Sequence, residues 1–458
     1  MNQEKDKKEL VLEEQVEHTK EVNQLALGED ITPKIKTTEQ QGKSEAKQKK
    51  LTMNKLVVFL AVLLIVVGGV IYYFVSEKIK INPQNTNKAP QQVYKADSQA
   101  IIDGKALSNG WCEGEEKPKL NTLPMKYDDF SFIIPYGLSV GGHVTPIDHQ
   151  YFSPTVFNSP RDTYDVVAMA DSTIVDIGPR TTDKGTEYRF VFSLSCKLFY
   201  YYDLVTSLAP DVQKVYDESK NGGRPLVLKV KAGQLIGKIG GQTLDFAVWD
   251  MDERLKGFVV PEHYDGEGWK IHTVDPLNYY TEELKSQVLT KYIRTAEPIS
   301  GKIDYDIDGK LVGTWFKEGT VGYIPPGNVG GESYWKGHLS FVYDHFDPTS
   351  IVISIGDYAG KEMQFGVKGN KPNPATVDTT TGLVKYELVE QDWESLSGDF
   401  WDRNTLIKGL KAKNHEEYVV GTVLVQMLEN RKIKFEAFPG KKASHIYVFT
   451  TNAKIFER

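Results

Sequence analysis

One segment constrains the chain more than any other: residues 56–75 are an unbroken run of twenty residues without a charge. A helix of that length rises about 30 Å, which matches the thickness of a hydrocarbon core. Tyr72, Tyr73 and Phe74 close the run, where an interfacial aromatic belt is expected. A core helix would carry more polar residues, and a cleaved signal peptide would have a shorter apolar region followed by a small-residue cleavage site. The segment therefore predicts a single transmembrane helix.

The lysines beside this segment set its expected orientation. Residues 40–55 contain five lysines, and residues 76–91 contain three. Because positive charge is retained on the cytoplasmic side, we predict a plasma-membrane protein with a cytoplasmic tail at 1–55 and its bulk outside the cytoplasm. The tail lacks aromatic residues and is rich in Glu, Lys and Gln, which predicts disorder. Residues 76–126 are largely polar and predict a linker.

Beyond the linker, the chain is long enough for two domains and is patterned for β-structure. Strand-length apolar or alternating runs recur from residue 127 onward, separated by turn residues. We predict a mainly β fold, with a β-sandwich domain at 127–297 and a second small β-barrel or sandwich at 298–458. One helix is expected at 281–292, with Thr281 as its N-cap. The formal net charge of −7 argues against a nucleic-acid partner, and we expect no nucleotide cofactor.

The C-terminal domain carries one short motif and a series of strand signals. The triplet Gly313-Thr-Trp315 is similar to the first strand of lipocalin-type barrels, although a core tryptophan is the simpler interpretation. Residues 392–411 predict a helix or a long loop. Strands are predicted at 419–427, 432–438 and 446–450, and two strands joined by an Asp-Pro turn are predicted over 340–355.

The chain has only two cysteines, Cys112 and Cys196, which excludes a Cys-rich zinc site. Both would lie outside the membrane, where oxidation is permitted. They could form a bridge between the linker and a domain strand, or remain two free thiols.

Four phrases between residues 128 and 280 follow one another in a fixed order. The first two contain apolar strand residues and glycines, the third is a short alternating strand, and the last begins with an Asp-Pro pair. They are VAMADSTIVDIG at 167–178, VKAGQLIGKIG at 230–240, LDFAV at 244–248 and DPLNY at 275–279.

These phrases resemble those of the M23 (LytM-type, lysostaphin-like) peptidase family. The corresponding family patterns are V-x-A-x-x-x-G-x-V-x-x-x-G, V-K-x-G-Q-x-I-G-x-x-G, L-H-F-E-V and D-P-x-x-Y/L. The resemblance covers about a third of the chain, and its glycine-rich phrase is the most specific. It implies an M23-like β domain at about 128–280, whereas the C-terminal domain remains unassigned.

The resemblance also implies a metal site. The family holds Zn²⁺ with the His and Asp of an H-x-x-x-D motif and with the last His of H-x-H. Here His143 and Asp148 match the first motif with four intervening residues instead of three, and His149 follows as a substitute ligand. Asp245 stands at the ligand position of H-x-H. Two carboxylates and one imidazole would suit Mn²⁺ or Ca²⁺ nearly as well as Zn²⁺.

The two catalytic histidines of the family are replaced in this sequence. Thr243 stands at the first position of H-x-H, and Asp203 stands at the His of the family's Y-x-H-L phrase. A metal-bound water without its histidine proton carrier loses about 10²–10⁴-fold in rate, although Asp203 could serve as the base. Tyr151 and Thr243 are expected to line the binding site.

Three functions follow from these observations. The leading one is a membrane-anchored extracytoplasmic protein that binds cell-envelope peptide, glycan or a partner protein without hydrolysis, with peptidoglycan or another cell-surface polymer as its partner. The alternative is a metal-dependent peptidoglycan endopeptidase with altered site residues. A third is a spacer that displays the C-terminal domain. For the loop 142–151, an Asp–His hydrogen-bonded turn without metal is the alternative to a ligand cluster.

Overall fold

The computed structural model describes residues 99–182, 184–320, 322–323 and 334–458, which belong to one compact unit. The predicted tail, the predicted transmembrane helix and the first part of the predicted linker lie outside these residues. Among the helices that are described, none is long and apolar enough to cross a membrane.

The described part of the first domain is built mainly of strands, as predicted. Eight strands form one antiparallel sheet, and three form a smaller sheet. The strands are β1 (Phe130–Ile134), β2 (Gln150–Pro154), β3 (Tyr164–Val167), β4 (Ser172–Thr182), β5 (Gly185–Ser193), β6 (Leu198–Val205), β7 (Ser207–Leu208), β8 (Leu228–Val230), β9 (Leu235–Ile239), β10 (Leu244–Asp250) and β11 (Thr273–Val274).

The order of the strands places distant parts of the sequence side by side. The large sheet runs β1-β2-β10-β6-β5-β4-β8, and β11 pairs with β10. The small sheet runs β3-β9-β7. β10 is therefore central, between β2 and β6, although it is formed late in the chain.

Side chains alternate across these central strands, so the large sheet has two different faces. Tyr200 and Tyr202 of β6 and Phe246 of β10 are fully buried in the main apolar core. Asp203 and Asp245 have the opposite parity and lie on the other face. That second face carries the candidate site.

Three helices are described in addition to the strands. The predicted helix is present with its predicted cap, because the Thr281 hydroxyl accepts a hydrogen bond from the Leu284 N–H. A second helix was not predicted, since Val212 is its one buried residue and its apolar pattern is weak. The helices are α1 (Gln99–Leu107), α2 (Pro210–Gly222) and α3 (Glu282–Lys291).

The linker predicted at 76–126 extends too far. Residues 99–125 are folded against the first domain, with α1 followed by an extended stretch in which Leu120 is fully buried. A disulfide between Cys112 and Cys196 joins this stretch to the loop before β6, with 4.9 Å between the Cα atoms. Few apolar residues anchor this stretch, so it resembles a solvated spacer in sequence.

The second domain is a closed antiparallel barrel, which decides between the two predicted architectures. Its eight strands pair in sequence order, and the last pairs with the first. They are β12 (Gly313–Lys317), β13 (His338–Tyr343), β14 (Ile351–Tyr358), β15 (Lys361–Val367), β16 (Leu383–Glu394), β17 (Lys411–Leu428), β18 (Lys432–Pro439) and β19 (Lys454–Glu457).

One prediction for this domain is wrong, and another is resolved in favour of one of its two alternatives. The strand expected at 446–450 is wrong, because these residues form a loop and β19 closes the barrel instead. The stretch 392–411 contains no helix: it is the end of β16, a loop and the start of β17. Ile446 and Phe449 belong to a side cluster with Phe438, whereas Tyr447 and Val448 are exposed.

The Gly313-Thr-Trp315 motif begins the first barrel strand, as its sequence suggested. Trp315 is fully buried in the barrel core. The guanidinium of Arg458 lies 4.0 Å from the centroid of its ring. The tryptophan therefore serves the barrel core, which was the simpler of the two interpretations.

Candidate functional site

Three neighbouring strands bring the predicted site residues together. In the register of the large sheet, Asp245 of β10 lies opposite Tyr151 of β2 on one side and opposite Asp203 of β6 on the other. Thr243 precedes β10, and its hydroxyl lies 3.4 Å from a carboxylate oxygen of Asp245. Residues nearly a hundred positions apart in the sequence thus form one cluster on the second face of the sheet.

His149 lies at the centre of this cluster. Its Nε2 is 3.1 Å from the hydroxyl of Tyr151 and 3.2 Å from a carboxylate oxygen of Asp245. Its Nδ1 is 3.5 Å from Asp148. The histidine therefore joins two carboxylates, which is the Asp–His arrangement considered as the alternative for this loop.

Asp148 is held by two residues that the sequence did not suggest. The indole N–H of Trp269 donates to one carboxylate oxygen at 3.1 Å, and the ammonium of Lys270 lies 3.5 Å from the other. Both belong to a 3₁₀ segment, Pro261–His272, that folds back over the sheet. Burial alone would raise the pKa of Asp148, but Lys270 and His149 lower it well below its usual range.

Asp203 is held by two arginines from the next two strands of the sheet, β5 and β4. Arg180 of β4 reaches one of its oxygens at 3.4 Å, and Nε of Arg189 in β5 reaches the other at 3.1 Å. The backbone N–H of Leu204 donates to the same carboxylate at 2.7 Å, and Leu204 itself has a positive φ of 66°. Burial alone would raise the pKa of Asp203, but Arg189 and Arg180 lower it.

The remaining predicted ligands have contrasting environments. Burial raises the pKa of Asp245 to about 7, with Asp203 adding to the rise and His149 opposing it. Burial lowers the pKa of His143 to about 3, and the nearby His149 contributes. The rings of His143 and His149 are 6.0 Å apart, so the two histidines are neighbours in space.

The loop that carries His143 is fixed by the barrel domain. The side-chain amide of Gln364 in β15 makes two 3.0 Å hydrogen bonds with the backbone of Gly141, one in each direction. A Cβ on Gly142 would come within 2.9 Å of the Trp335 ring, so glycine is required by this close approach. Residues of the barrel therefore form part of the boundary of the site.

These residues do not fit a divalent cation. In the described part of the chain, no group of three or more His, Cys, Asp or Glu residues is placed to hold a metal ion. Of the predicted set, Asp148 is already engaged by Lys270 and Trp269, and Asp245 by His149. The positive charge beside these carboxylates comes from side chains of the protein, and an added dication would face their repulsion.

Sequence reasoning missed the four residues that hold the carboxylates of the site: the cations Arg180, Arg189 and Lys270 and the indole donor Trp269. No local pattern marks them. The arginines become neighbours of Asp203 only through the pairing of β4, β5 and β6, and the other two only through the fold of the 3₁₀ segment. The one usable signal was the presence of arginines at alternating positions near strand ends.

No protein-family model and no curated protein sequence matches the chain. Among solved structures, Csd3 of Helicobacter pylori matches in its hexagonal crystal form with 17% identity and a TM-score of 0.22, over 36% of this chain and 34% of Csd3. Lysostaphin, solved by NMR, matches with 11% identity and a TM-score of 0.23, over 75% of this chain and 92% of lysostaphin. The match thus spans about a third of the Csd3 chain. The family resemblance itself rests on the sequence phrases.

Proposed function

We propose that this protein is a membrane-anchored, extracytoplasmic binding protein. Its M23-like β domain recognises cell-envelope peptide, glycan or a partner protein and does not hydrolyse it. The observation that carries the proposal is the pairing of the candidate carboxylates with side-chain cations: Lys270 engages Asp148, and Arg180 and Arg189 engage Asp203.

The likeness to the M23 family supports the location of the binding cleft. The phrase at 167–178 pairs with the phrase at 230–240, through β3 with β9 and β4 with β8, and the H-x-H and Y-x-H-L positions face each other as Asp245 and Asp203. The membrane anchor is supported by the uncharged segment 56–75, and the extracytoplasmic side by the lysine distribution.

The absence of hydrolysis is supported by the chemistry of the substituted positions. Thr243 carries no group that ionises near neutral pH, so it cannot replace a histidine base. Asp203 has a lowered pKa and accepts hydrogen bonds from two arginines and a backbone N–H. A carboxylate stabilised in this way is a weak proton acceptor.

The test is binding to the cell wall, measured together with the release of fragments. The full chain in detergent micelles is incubated with purified peptidoglycan sacculi, with and without added Zn²⁺. We expect the protein to sediment with the sacculi, while mass spectrometry detects no released peptide. Arg189→Glu should abolish sedimentation, and the matched variant Arg224→Glu, at an exposed position on the far end of α2, should not.

Two outcomes would overturn this function. Protein that stays in the supernatant would remove wall binding. Peptide fragments released by the natural protein, in either metal condition, would establish the endopeptidase instead.

A further inference from the structure

We infer that Arg189 and Arg180 form a binding site for a single carboxylate, so that the ligand of the cleft is a peptide with a free carboxyl terminus. This inference rests on the proposed function and names the group by which the ligand is recognised. It follows from how the two guanidinium groups are held and from which of their donors are occupied.

Arg189 is fixed in place but only partly used. Its Nε donates to Asp203, and its guanidinium lies 5.8 Å from the ring centroid of Tyr201 and 6.0 Å from that of Trp269. Within the described residues, its two terminal nitrogens make no hydrogen bond or ion pair, and its side chain is 43% exposed. The group is therefore oriented by one carboxylate and two rings, while the paired N–H donors of its outer edge stay open.

Arg180 contributes a second open donor beside the first. A single terminal nitrogen, Nη2, serves both Glu187 at 3.5 Å and Asp203 at 3.4 Å. Its other terminal nitrogen has no partner among the described residues, and the side chain is 35% exposed. Both arginines reach the same carboxylate of Asp203, Arg180 at one oxygen and Arg189 at the other.

Open guanidinium donors in a fixed plane are suited to a carboxylate. The parallel N–H bonds of one arginine match the two oxygens of a carboxylate, and such charge-assisted bonds are about twice as strong as neutral ones. Arg189 is prepared for this bond before the ligand arrives, because its partners already restrict its rotamers. The partly exposed ring of Trp269 provides an apolar surface for the residue that carries the carboxylate, and the buried ring of Tyr201 supports the guanidinium.

The charge balance around the arginines selects the kind of anion. Arg180 and Arg189 are opposed by Asp203 and Glu187, whose side chains are 7% and 1% exposed, and the carboxyls of Asp245 and Glu267 also act on these two arginines. A cluster without excess positive charge offers directed donors but no strong positive field. It therefore favours a monovalent carboxylate over a phosphate dianion or a polyanionic polymer.

The experiment compares two ligands that differ only in the terminal group. Calorimetric titration of the full chain in detergent uses N-acetyl-D-alanyl-D-alanine and its carboxamide. We expect the carboxylate to bind at least about tenfold more tightly than the amide. Arg189→Ala should remove this preference, and Arg224→Ala should leave it unchanged. Arg189→Lys keeps the charge beside Asp203 and lacks the planar pair of donors, so it should fold normally and also lose the preference.

The outcomes separate this inference from the proposed function. Equal binding of the carboxylate and the amide would overturn the carboxylate site and leave wall binding in place. A preference that survives in both Arg189→Ala and Arg180→Ala would overturn the assignment to these arginines. Inorganic phosphate binding more tightly than the carboxylate would overturn the choice of ligand class. Loss of sedimentation with sacculi would instead overturn the proposed function.

Discussion

Two arginines that lie over aromatic rings differ in their surroundings: the guanidinium of Arg458 is 4.0 Å from the ring centroid of Trp315 in the barrel, and that of Arg189 is 5.8 Å from the ring centroid of Tyr201. Arg458 has a side chain only 2% exposed. Its terminal nitrogens donate to Asp306 and to three backbone carbonyls of the segment that leads into the barrel. The ring contact of Arg458 is the closer of the two, and both of its terminal nitrogens have partners inside the fold.

Arg189 shows the opposite distribution of contacts. Among the described residues it makes one hydrogen bond, through Nε to Asp203, and 43% of its side chain is exposed to solvent. The difference shows how a single residue type serves two purposes. A buried arginine with occupied donors stabilises the fold, whereas an exposed arginine with open donors is available to a ligand.

The largest expected effect is at the barrel arginine. Arg458→Met should lower the free energy of unfolding by about 3–5 kcal/mol, because it leaves the buried carboxylate of Asp306 unpaired. Chemical denaturation followed by tryptophan fluorescence measures this change. The control is Arg431→Ala, which breaks an exposed pair with Asp308 and should cost about 0–1 kcal/mol. Equal effects of the two variants would contradict a structural role for Arg458.

A smaller loss of stability is expected when the buried lysine of the cleft is replaced. This substitution tests whether a cation of the site also stabilises the fold. Lys270 is 2% exposed, and Lys270→Met should lower stability by about 3 kcal/mol because Asp148 loses its ion pair. Adding Asp148→Asn should restore part of that loss, since no unpaired charge then remains. The same denaturation experiment measures both variants. Additive losses would show that the two side chains do not interact.

The barrel carboxylate Asp344 should make stability depend on pH. Burial alone would raise its pKa, but His345 and the hydrogen bonds from Trp393 and the backbone lower it below 3.8. A lowered folded-state pKa gives a contribution that is present above about pH 5 and is lost as the pH falls through the folded-state value.

Substitution of this carboxylate checks that assignment. Asp344→Asn should cost about 1–2 kcal/mol at pH 7, and the difference from the natural protein should shrink below about pH 4. Thermal unfolding across this pH range provides the measurement. A difference that is constant with pH would show that the charge of Asp344 does not contribute.

The smallest effect on stability is expected at the cleft arginine. Arg189→Ala should lower the free energy of unfolding by about 1 kcal/mol, because Asp203 keeps Arg180 and the Leu204 N–H as partners. Its affinity for the carboxylate peptide should nevertheless fall by about tenfold or more. A large loss of stability without a loss of affinity would make Arg189 resemble Arg458 and would remove the distinction drawn between them.

Much of the fold could be predicted from local patterns. The capped helix after Thr281 and the paired strands around the Asp-Pro turn depend on residues close in sequence, and both are confirmed. The second domain was predicted as either a barrel or a sandwich, and closure by pairing of β12 with β19 is not written in any one strand. The loop at 446–450 has the composition of a strand, but its buried residue Ile446 packs in a cluster outside the barrel core.

The candidate site was only half accessible to sequence reasoning. The family phrases led to Tyr151, Asp203 and Asp245, and the sheet places these three side by side. The cations that neutralise the carboxylates come from strands β4 and β5 and from a 3₁₀ segment with no recognisable motif. Their positions depend on strand register and tertiary packing, which the order of residues alone does not reveal.

The most direct test of the account follows the arginine side chains themselves. NMR spectra of the full chain with isotope-labelled arginine report each guanidinium group during titration with N-acetyl-D-alanyl-D-alanine. We predict that the signals of Arg189 and Arg180 shift with the ligand, that the signal of Arg458 does not, and that the peptide remains intact. Unchanged signals from the two cleft arginines, or cleavage of the peptide, would contradict it.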